Sequence, residues 1–353
     1  MIFSAVLEEY AKLYAGYKID LLCQPKVRDL AVAVPYLNDV FCIDPFKVGR
    51  KKYFPYYFYI LCVLNLKGYE KIIYPVYSRT IENELIIQHI RSKEKITCEG
   101  NNSNDPNDER FARNRNFTKI IPSDPGEKPE IERNAEFLTG LGGHIKEERL
   151  NPKIWFRSQD QISANKILSD HNLKQKEYFC IFPGAGFDIR WWDHSSWIEL
   201  IGKLTSRYPE FKIVLLGFGR DIIPIQAIID GLSVEEKARV VNLYSKTRLR
   251  ALAKILQWSR FCIGMETGAT HIAAAVDAPY VCLIGGGHFG RFYPYGDLSR
   301  NRIVYHKMDC YGCNWRCIYD VAKCIKNIKT DDVFGEVQML MNTSSHTISH
   351  VPL

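Results

Sequence analysis

The stretch from Phe261 to Gly287, FCIGMETGATHIAAAVDAPYVCLIGGG, constrains the fold of this chain more than any other. It reads as an apolar strand, a polar turn carrying Glu266, Thr267, Gly268, Thr270 and His271, an Ala-rich helix from Ile272 to Val276, and a second apolar strand ending in three glycines. Strand, turn, helix and strand in that order form a parallel α/β unit. In open parallel sheets a ligand settles outside the carboxyl ends of the strands, so the turn after Ile263 is where chemistry is expected. The start of the helix behind it offers unpaired N–H groups and a partial positive charge, both suited to phosphate. For His271 the other reading is a histidine that simply caps or packs the helix.

The preceding segments extend the pattern. Glu177 to Phe182 (EYFCIF) reads as a buried strand running into Pro183, Gly184, Ala185 and Gly186, followed by Asp188, Arg190 and a helix from about Ser195 to Tyr208. Small residues after a strand let backbone N–H groups approach a ligand closely. Arg190 is the best phosphate partner in the chain, the alternative being a surface cation. Lys212 to Leu216 is a further strand with its own turn, Gly217-Phe218-Gly219, Val240 to Leu243 is a short strand, and Arg248 to Trp258 is a helix. Repeated alternation of strand and helix through Gly285 predicts a doubly wound parallel domain.

The N-terminal half is less regular. Phe3, Val6, Leu7, Tyr10 and Leu13 keep helical spacing from the start, and Tyr14-Ala15-Gly16 supplies the stop. Lys18 to Cys23 and Asp39 to Asp44 read as strands around a helix from Val27 to Val34. The longest apolar run, Tyr53 to Leu66 (YFPYYFYILCVLNL), has 14 residues, short of the ~20 that cross a bilayer. A buried helix is the first reading and interfacial membrane contact the second. Lys71 to Tyr77 is a strand ending at Ser78-Arg79, which are expected to face a ligand. Asn101 to Pro129 reads as a long loop whose Arg110, Arg113, Arg115 and Lys119 either hold an anionic acceptor or form a solvated basic face. A helix from Glu130 to Leu141, closed by Gly142-Gly143, puts the domain boundary near residue 150, giving domains 1–150 and 151–353.

A chain of 353 residues with 46% apolar and 25% charged residues suits two globular domains. The net charge of +7 fits an anionic ligand, without the dense Lys/Arg block that nucleic acid would call for. MIFSAVLEEYAKLY carries Glu8 and Glu9 where a secretory leader needs an apolar core, so none is expected. Seven of the eleven cysteines lie singly, mostly in apolar segments, which favours a reducing cytoplasm. The other four, Cys310, Cys313, Cys317 and Cys324, sit in CYGCNWRCIYDVAKC. They are candidate ligands of a structural zinc, although the spacing is not that of two C-x2-C pairs; a disulfide or plain packing are the other readings. Trp315 among them suggests a compact cap.

PGAG followed by Arg190, Trp191-Trp192 and Trp197, then ETGATHIAAAVDAP and a Gly-rich strand end, resembles the ADP-heptose:lipopolysaccharide heptosyltransferases, the ninth glycosyltransferase family. The N-terminal half is similar more loosely, through SAVLEEYAKLY, PVYSR and NAEFLTGLG. The resemblance implies a GT-B architecture, two Rossmann-like domains facing a cleft. The acceptor would bind mainly to residues 1–150 and the nucleotide-sugar to residues 151–353, with the Cys-rich tail 310–324. It implies Gly184, Ala185, Gly186 and Arg190 on the donor diphosphate, with Glu266, Thr267, Gly268 and His271 beside the same phosphates and the sugar. Glu266 stands where Asp is commoner and Trp192 where Pro is usual. The family pattern places a strand and a Gly-Asp loop ahead of the helix that opens this chain, and that Asp is taken as the base. The resemblance therefore implies a first domain lacking its opening strand, with the catalytic base before Met1.

The activity so implied is inverting, metal-independent transfer of a sugar, heptose from ADP-heptose, to a lipopolysaccharide-core or related anionic surface glycan. It would be carried out without a cofactor by a cytoplasmic enzyme peripheral to the inner membrane. A catalytically impaired remnant that binds a nucleotide-sugar or glycan is the main rival. A nicotinamide enzyme is disfavoured, because PGAG lacks G-x-G-x-x-G spacing and no clear acidic ribose ligand follows.

Overall fold

A computed structural model describes residues 1–101, 103–104 and 113–346, with the side chains of 343–346 excepted. Arg110, one of the candidate acceptor cations, lies outside the described residues. The chain divides into two compact units, Phe3–Leu150 on one side and Asn151–Leu353 with Met1–Ile2 on the other.

The C-terminal unit is organised by a parallel sheet of β6 (Tyr178–Phe182), β7 (Lys212–Leu215), β8 (Val240–Asn242), β9 (Cys262–Met265), β10 (Tyr280–Leu283) and β11 (Asn301–Val304). The spatial order is β11-β10-β9-β6-β7-β8. The chain therefore runs outward from β6 to β8, then returns to lay β9 on the other flank of β6. The order reverses between β6 and β9, where such a sheet opens a crevice at its carboxyl edge. The strands are short unbroken apolar runs because helices cover both faces; every residue of β6, β9 and β10 is buried. At the seam Phe182 pairs with Gly264. A Cβ on Gly264 would stand 1.8 Å from the Phe182 ring, so only glycine lets these two strands close.

One layer of helices includes α6 (His194–Arg207), α7 (Ile222–Gly231) and α10 (Thr330–His346). Their apolar faces, among them Leu200, Ile201, Leu204, Ile225, Val333 and Val337, share one core with Phe179, Ile181 and Leu283 of the sheet. α8 (Leu249–Trp258) packs on α5 (Ser158–Asp170), and the Arg250–Asp160 pair at 2.8 Å lies between them. β11 and α10 carry weak local signals and were not anticipated from the sequence.

In the N-terminal unit, α1 (Leu7–Leu13) leads to β1 (Ile19–Cys23) and β2 (Leu37–Cys42), which form a two-stranded parallel sheet. β3 (Lys71–Tyr74), β4 (Glu94–Cys98) and β5 (Lys119–Ile121) form a separate three-stranded parallel sheet. The expected loop from Asn101 thus contains a strand, β5, whose three residues pair with Ile96, Thr97 and Cys98. α3 (Ile81–Gln88), capped by the Thr80 hydroxyl, and α4 (Glu130–Gly140) complete the described long helices around this sheet.

Two expectations are corrected here. α2 (Phe54–Lys67) is buried on one side only: Tyr57, Ile60, Leu61 and Leu64 pack inward while Phe54, Phe58, Tyr59 and Leu66 stand exposed. Arg79 does not present its charge to a ligand. It is 1% exposed, with Nε donating to Glu84 and Nη1 to the Cys98 carbonyl at 3.2 Å and to Asn114 at 2.8 Å. Arg113 also donates to the fully buried Glu84, so that carboxylate ties the segment ahead of β5 to the end of β3.

Candidate functional site

The carboxyl ends of β6 and β9 deliver the two turns singled out in the sequence to adjacent positions in the C-terminal unit. After β6 the chain runs through Pro183-Gly184-Ala185-Gly186. The Trp191 indole donates to the Ala185 carbonyl at 3.0 Å and fixes this turn. Gly184 has no room for a side chain, since a Cβ would stand 2.0 Å from the Asp221 carboxyl. A Cβ on Gly186 would meet nothing within 4 Å, so its backbone faces open space.

That space is a cavity of about 270 Å³ lined by Ala185, Gly186, Phe218, Arg220, Asp221 and Thr267. The last four come from the turns after β7 and β9, and Phe218, Arg220 and Asp221 had not been chosen as site residues. Their signal was the Gly217-Phe218-Gly219 turn, whose position only the strand order reveals. Burial pushes the Asp221 carboxyl up, opposed by the hydrogen bond it accepts from the Phe218 N–H at 3.0 Å.

After β9, Thr267 caps α9 (Gly268–Ala275), accepting from the Ala269 N–H at 3.3 Å. The expected helix therefore begins four residues earlier than Ile272, and its first turn is the segment Gly268 to His271. Such a turn leaves N–H groups without intrahelical partners. Thr270 is not among the groups offered to a ligand; its hydroxyl is buried and donates to the Met265 carbonyl at 2.7 Å.

Arg190 joins the two turns. Its Nη2 donates to the Glu266 carbonyl oxygen at 2.6 Å and to the Glu266 carboxylate at 3.0 Å. The guanidinium lies over the Trp315 ring, 4.8 Å from its centroid. Trp315 reaches this place because the Cys-rich segment folds over the end of β10: the indole packs on Gly285 and Gly287 and donates to His288 at 3.1 Å. The sequence suggested that Trp315 sits in a cap, but not that it carries Arg190. Burial holds the Glu266 carboxyl up at about 7, against the opposing pull of Arg190 and Arg291.

His271 stands apart from its neighbours in character. Its Nδ1 is bonded to the Tyr295 hydroxyl at 2.8 Å, and its ring stacks on Tyr293 at 4.7 Å. Burial brings its pKa down to about 3, with Arg190 adding to the effect, so the imidazole is neutral at ordinary pH. It can offer a hydrogen bond and not a charge.

Cys310, Cys313 and Cys317 are partly exposed free thiols, and Cys324 is a buried one. Among the described residues no group of three or more His, Cys, Asp or Glu side chains is arranged to hold a metal ion. The Cys324 thiol sits in the main core and is pushed up by burial.

The sequence profile of glycosyltransferase family 9 (heptosyltransferase) matches residues 117–315. Lipopolysaccharide heptosyltransferase 3 of Escherichia coli is 22% identical over 289 residues, 81% of this chain and 79% of that protein. Lipopolysaccharide heptosyltransferase 2 of Salmonella typhimurium is 28% identical over 137 residues, 38% of this chain and 39% of that protein. The glycosyl transferase family 9 structure from Veillonella parvula superposes with a TM-score of 0.75 at 16% identity, over 97% of this chain and 93% of that one. The E. coli ADP-heptose lps heptosyltransferase II superposes with a TM-score of 0.71 at 16% identity, over 97% and 95%. The α/β fold with parallel sheets is thus the GT-B fold of those proteins.

Proposed function

The chain belongs to glycosyltransferase family 9, the family of heptosyltransferases, and from that premise we propose that it moves a heptose from ADP-heptose to a lipopolysaccharide-core or related surface glycan, with inversion at the anomeric carbon. The observation that carries this reading is Arg190, held by Glu266 and Trp315 at the strand-order reversal, between a glycine turn and the first turn of α9. A diphosphate lying along Gly184, Ala185 and Gly186 would take backbone N–H groups from that turn and from Gly268, with the Arg190 guanidinium as its counter-charge. The cavity beyond Gly186, with Phe218 and Asp221 in its wall, would receive the rest of the nucleotide. Neutral His271 would contribute a hydrogen bond near the sugar.

In the reaction an acceptor hydroxyl oxygen bonds to the anomeric carbon as the bond from that carbon to the diphosphate oxygen breaks. The hydroxyl proton passes to a carboxylate base, and the bonding pair leaves on the diphosphate. Charge grows on the leaving diphosphate as that bond breaks, which is where a fixed cation and helix N–H groups lower a barrier. Because protein cations meet that charge, a divalent metal is not required. Glu266 is a poor candidate for the base, since its carboxylate is committed to Arg190. The unit Phe3–Leu150 is assigned to the acceptor.

Calorimetry with ADP and ADP-heptose, followed by a coupled assay of ADP release with a lipopolysaccharide-core acceptor, tests the reading. Binding of ADP-heptose together with ADP release that needs acceptor supports it. Binding without turnover would favour a remnant that only holds nucleotide-sugar, and absence of any nucleotide-sugar binding would overturn both.

A further inference from the structure

The loop from the end of β10 to the start of β11 brings two tyrosines against His271. Tyr293 and Tyr295 are 1% and 9% exposed and stack on each other with centroids 4.8 Å apart. Their rings lie 4.7 and 5.9 Å from that of His271, and the Tyr295 ring is tilted from it by only 5°. The backbone behind Tyr295 is fixed. Gly296 takes a φ of +79°, a left-handed turn that suits glycine. The Asp297 carboxylate accepts from the Ser299 N–H at 2.9 Å, and its carbonyl from the Asn301 N–H at 2.9 Å. Asn301 opens β11 and pairs with Tyr280 of β10, so these bonds tie the loop to the sheet. From this support the Tyr295 hydroxyl meets the His271 Nδ1 at 2.8 Å.

A neutral imidazole has a proton on one nitrogen and a lone pair on the other, and the partner of one nitrogen decides which is which. Burial keeps His271 neutral. Burial also pushes the Tyr295 phenol up, opposed by the Tyr293 hydroxyl beside it, so the phenol keeps its proton. A phenol O–H is a far stronger acid than the N–H of a neutral imidazole, and an imidazole lone pair is a stronger base than a phenol oxygen. The phenol therefore donates to Nδ1, and the ring proton is on Nε2. Among the described residues Nε2 has no partner. His271 is partly exposed in the first turn of α9, close enough to Arg190 to feel its charge.

We propose that Tyr295 is a positioning residue whose hydroxyl holds the His271 proton on Nε2, so that the imidazole presents an N–H to an oxygen of the bound nucleotide-sugar. The ligand in this inference rests on the transfer reading above, whereas the place of the proton rests on the loop geometry alone. The opposite tautomer would turn a lone pair toward that oxygen and repel it. A neutral donor near the Arg190 cation thus adds direction to donor binding without adding charge.

Two measurements on the full chain test it. Nitrogen NMR of the histidine rings, with His271 assigned by its loss in His271→Gln, should show an unprotonated Nδ1 that accepts a hydrogen bond. In Tyr295→Phe, which keeps the ring stack, that signal should move toward the position of a free lone pair. Titration calorimetry should find ADP-heptose bound about three- to ten-fold more weakly by Tyr295→Phe than by wild type. In His271→Gln the amide supplies an N–H with no tautomer to set, so adding Tyr295→Phe there should change affinity by less than about two-fold. A loss shared by ADP assigns the oxygen to the diphosphate, and a loss confined to ADP-heptose assigns it to the sugar; either supports the proposal. A protonated Nδ1 in the wild type overturns it, as does a His271 signal indifferent to Tyr295→Phe. It is equally overturned if Tyr295→Phe costs as much affinity in His271→Gln as in wild type, because the phenol would then act by a route other than His271. A wild-type protein that binds no nucleotide-sugar overturns the transfer reading and the ligand named here, even where the spectrum places the proton on Nε2.

Discussion

Replacing Arg190 by alanine should produce two effects of different origin that one further substitution can separate. The guanidinium donates to the Glu266 carbonyl and carboxylate at 2.6 and 3.0 Å. Toward an anionic ligand the loss is that of charge-assisted hydrogen bonds, each about 1.5–3 kcal/mol, so ADP affinity should fall by about 10–100-fold. Inside the protein, Glu266 loses the cation that most opposes its burial. Its carboxyl already lies at about 7 instead of 4.5, and without Arg190 it must rise further. A carboxyl raised on folding supports the fold fully below its unfolded value and loses that support as pH climbs through the folded value. In the wild type this loss runs from 4.5 to about 7 and then stops. In Arg190→Ala it continues above that value at about 1.4 kcal/mol per pH unit, or roughly 2–4 °C of melting temperature for each kcal/mol. Melts of both proteins at about pH 6, 7 and 8 should therefore diverge as pH rises. Adding Glu266→Gln to Arg190→Ala should flatten the divergence and leave ADP affinity as weak as before. ADP affinity within about two-fold of wild type for Arg190→Ala, or a melting difference indifferent to pH, would refute the reasoning.

Trp315→Ala removes the ring beneath Arg190 and should weaken ADP binding by about 3–10-fold, whereas Trp315→Phe keeps a π face and should stay near wild type; titration calorimetry distinguishes them. Gly264→Ala should cost about 1–3 kcal/mol in urea unfolding through its clash with Phe182, and Phe182→Leu in the same chain should recover part of that. Glu84→Gln leaves Arg79 and Arg113 without the buried carboxylate between them. About 3–5 kcal/mol of destabilisation is expected, seen as faster limited proteolysis around residue 113, and unchanged proteolysis would show that neighbouring groups replace the carboxylate.

What was legible in the sequence follows from how local each signal is. β6, β7 and β9 announced themselves because a strand buried on both faces is an unbroken apolar run, and the turns after them carry glycines, a cation and hydroxyls at fixed offsets. β5 was hidden. Its three residues lie inside a stretch rich in Asn, Asp and Pro, and only pairing with β4 makes them a strand. Arg79 misled for a related reason. A cation at a strand end suggests a ligand, but Glu84, five residues on, turns it inward, and nothing in the local pattern distinguishes a carboxylate that will be fully buried from one on the surface. α2 misled in the opposite direction, since its apolar residues run right round the helix and the sequence cannot say which side the core will take.

The pairing of Arg190 with Glu266 shows what sits between these cases. Both residues were chosen from the sequence, 76 positions apart, as neighbours of the same phosphates. Their contact with each other was not chosen, because it exists only where the strand order reverses and β9 is laid beside β6. On the proposed function this has a chemical consequence. A donor diphosphate meets an arginine whose direction is already fixed by a carbonyl, a carboxylate and the Trp315 ring, so little side-chain freedom remains to be lost on binding. The diphosphate must also share that cation with Glu266. Burial holds that carboxyl near 7 against the pull of Arg190, so protonating it costs less than protonating an exposed Asp or Glu. The longer carboxylate in this turn is thus compatible with donor binding as long as it stays buried.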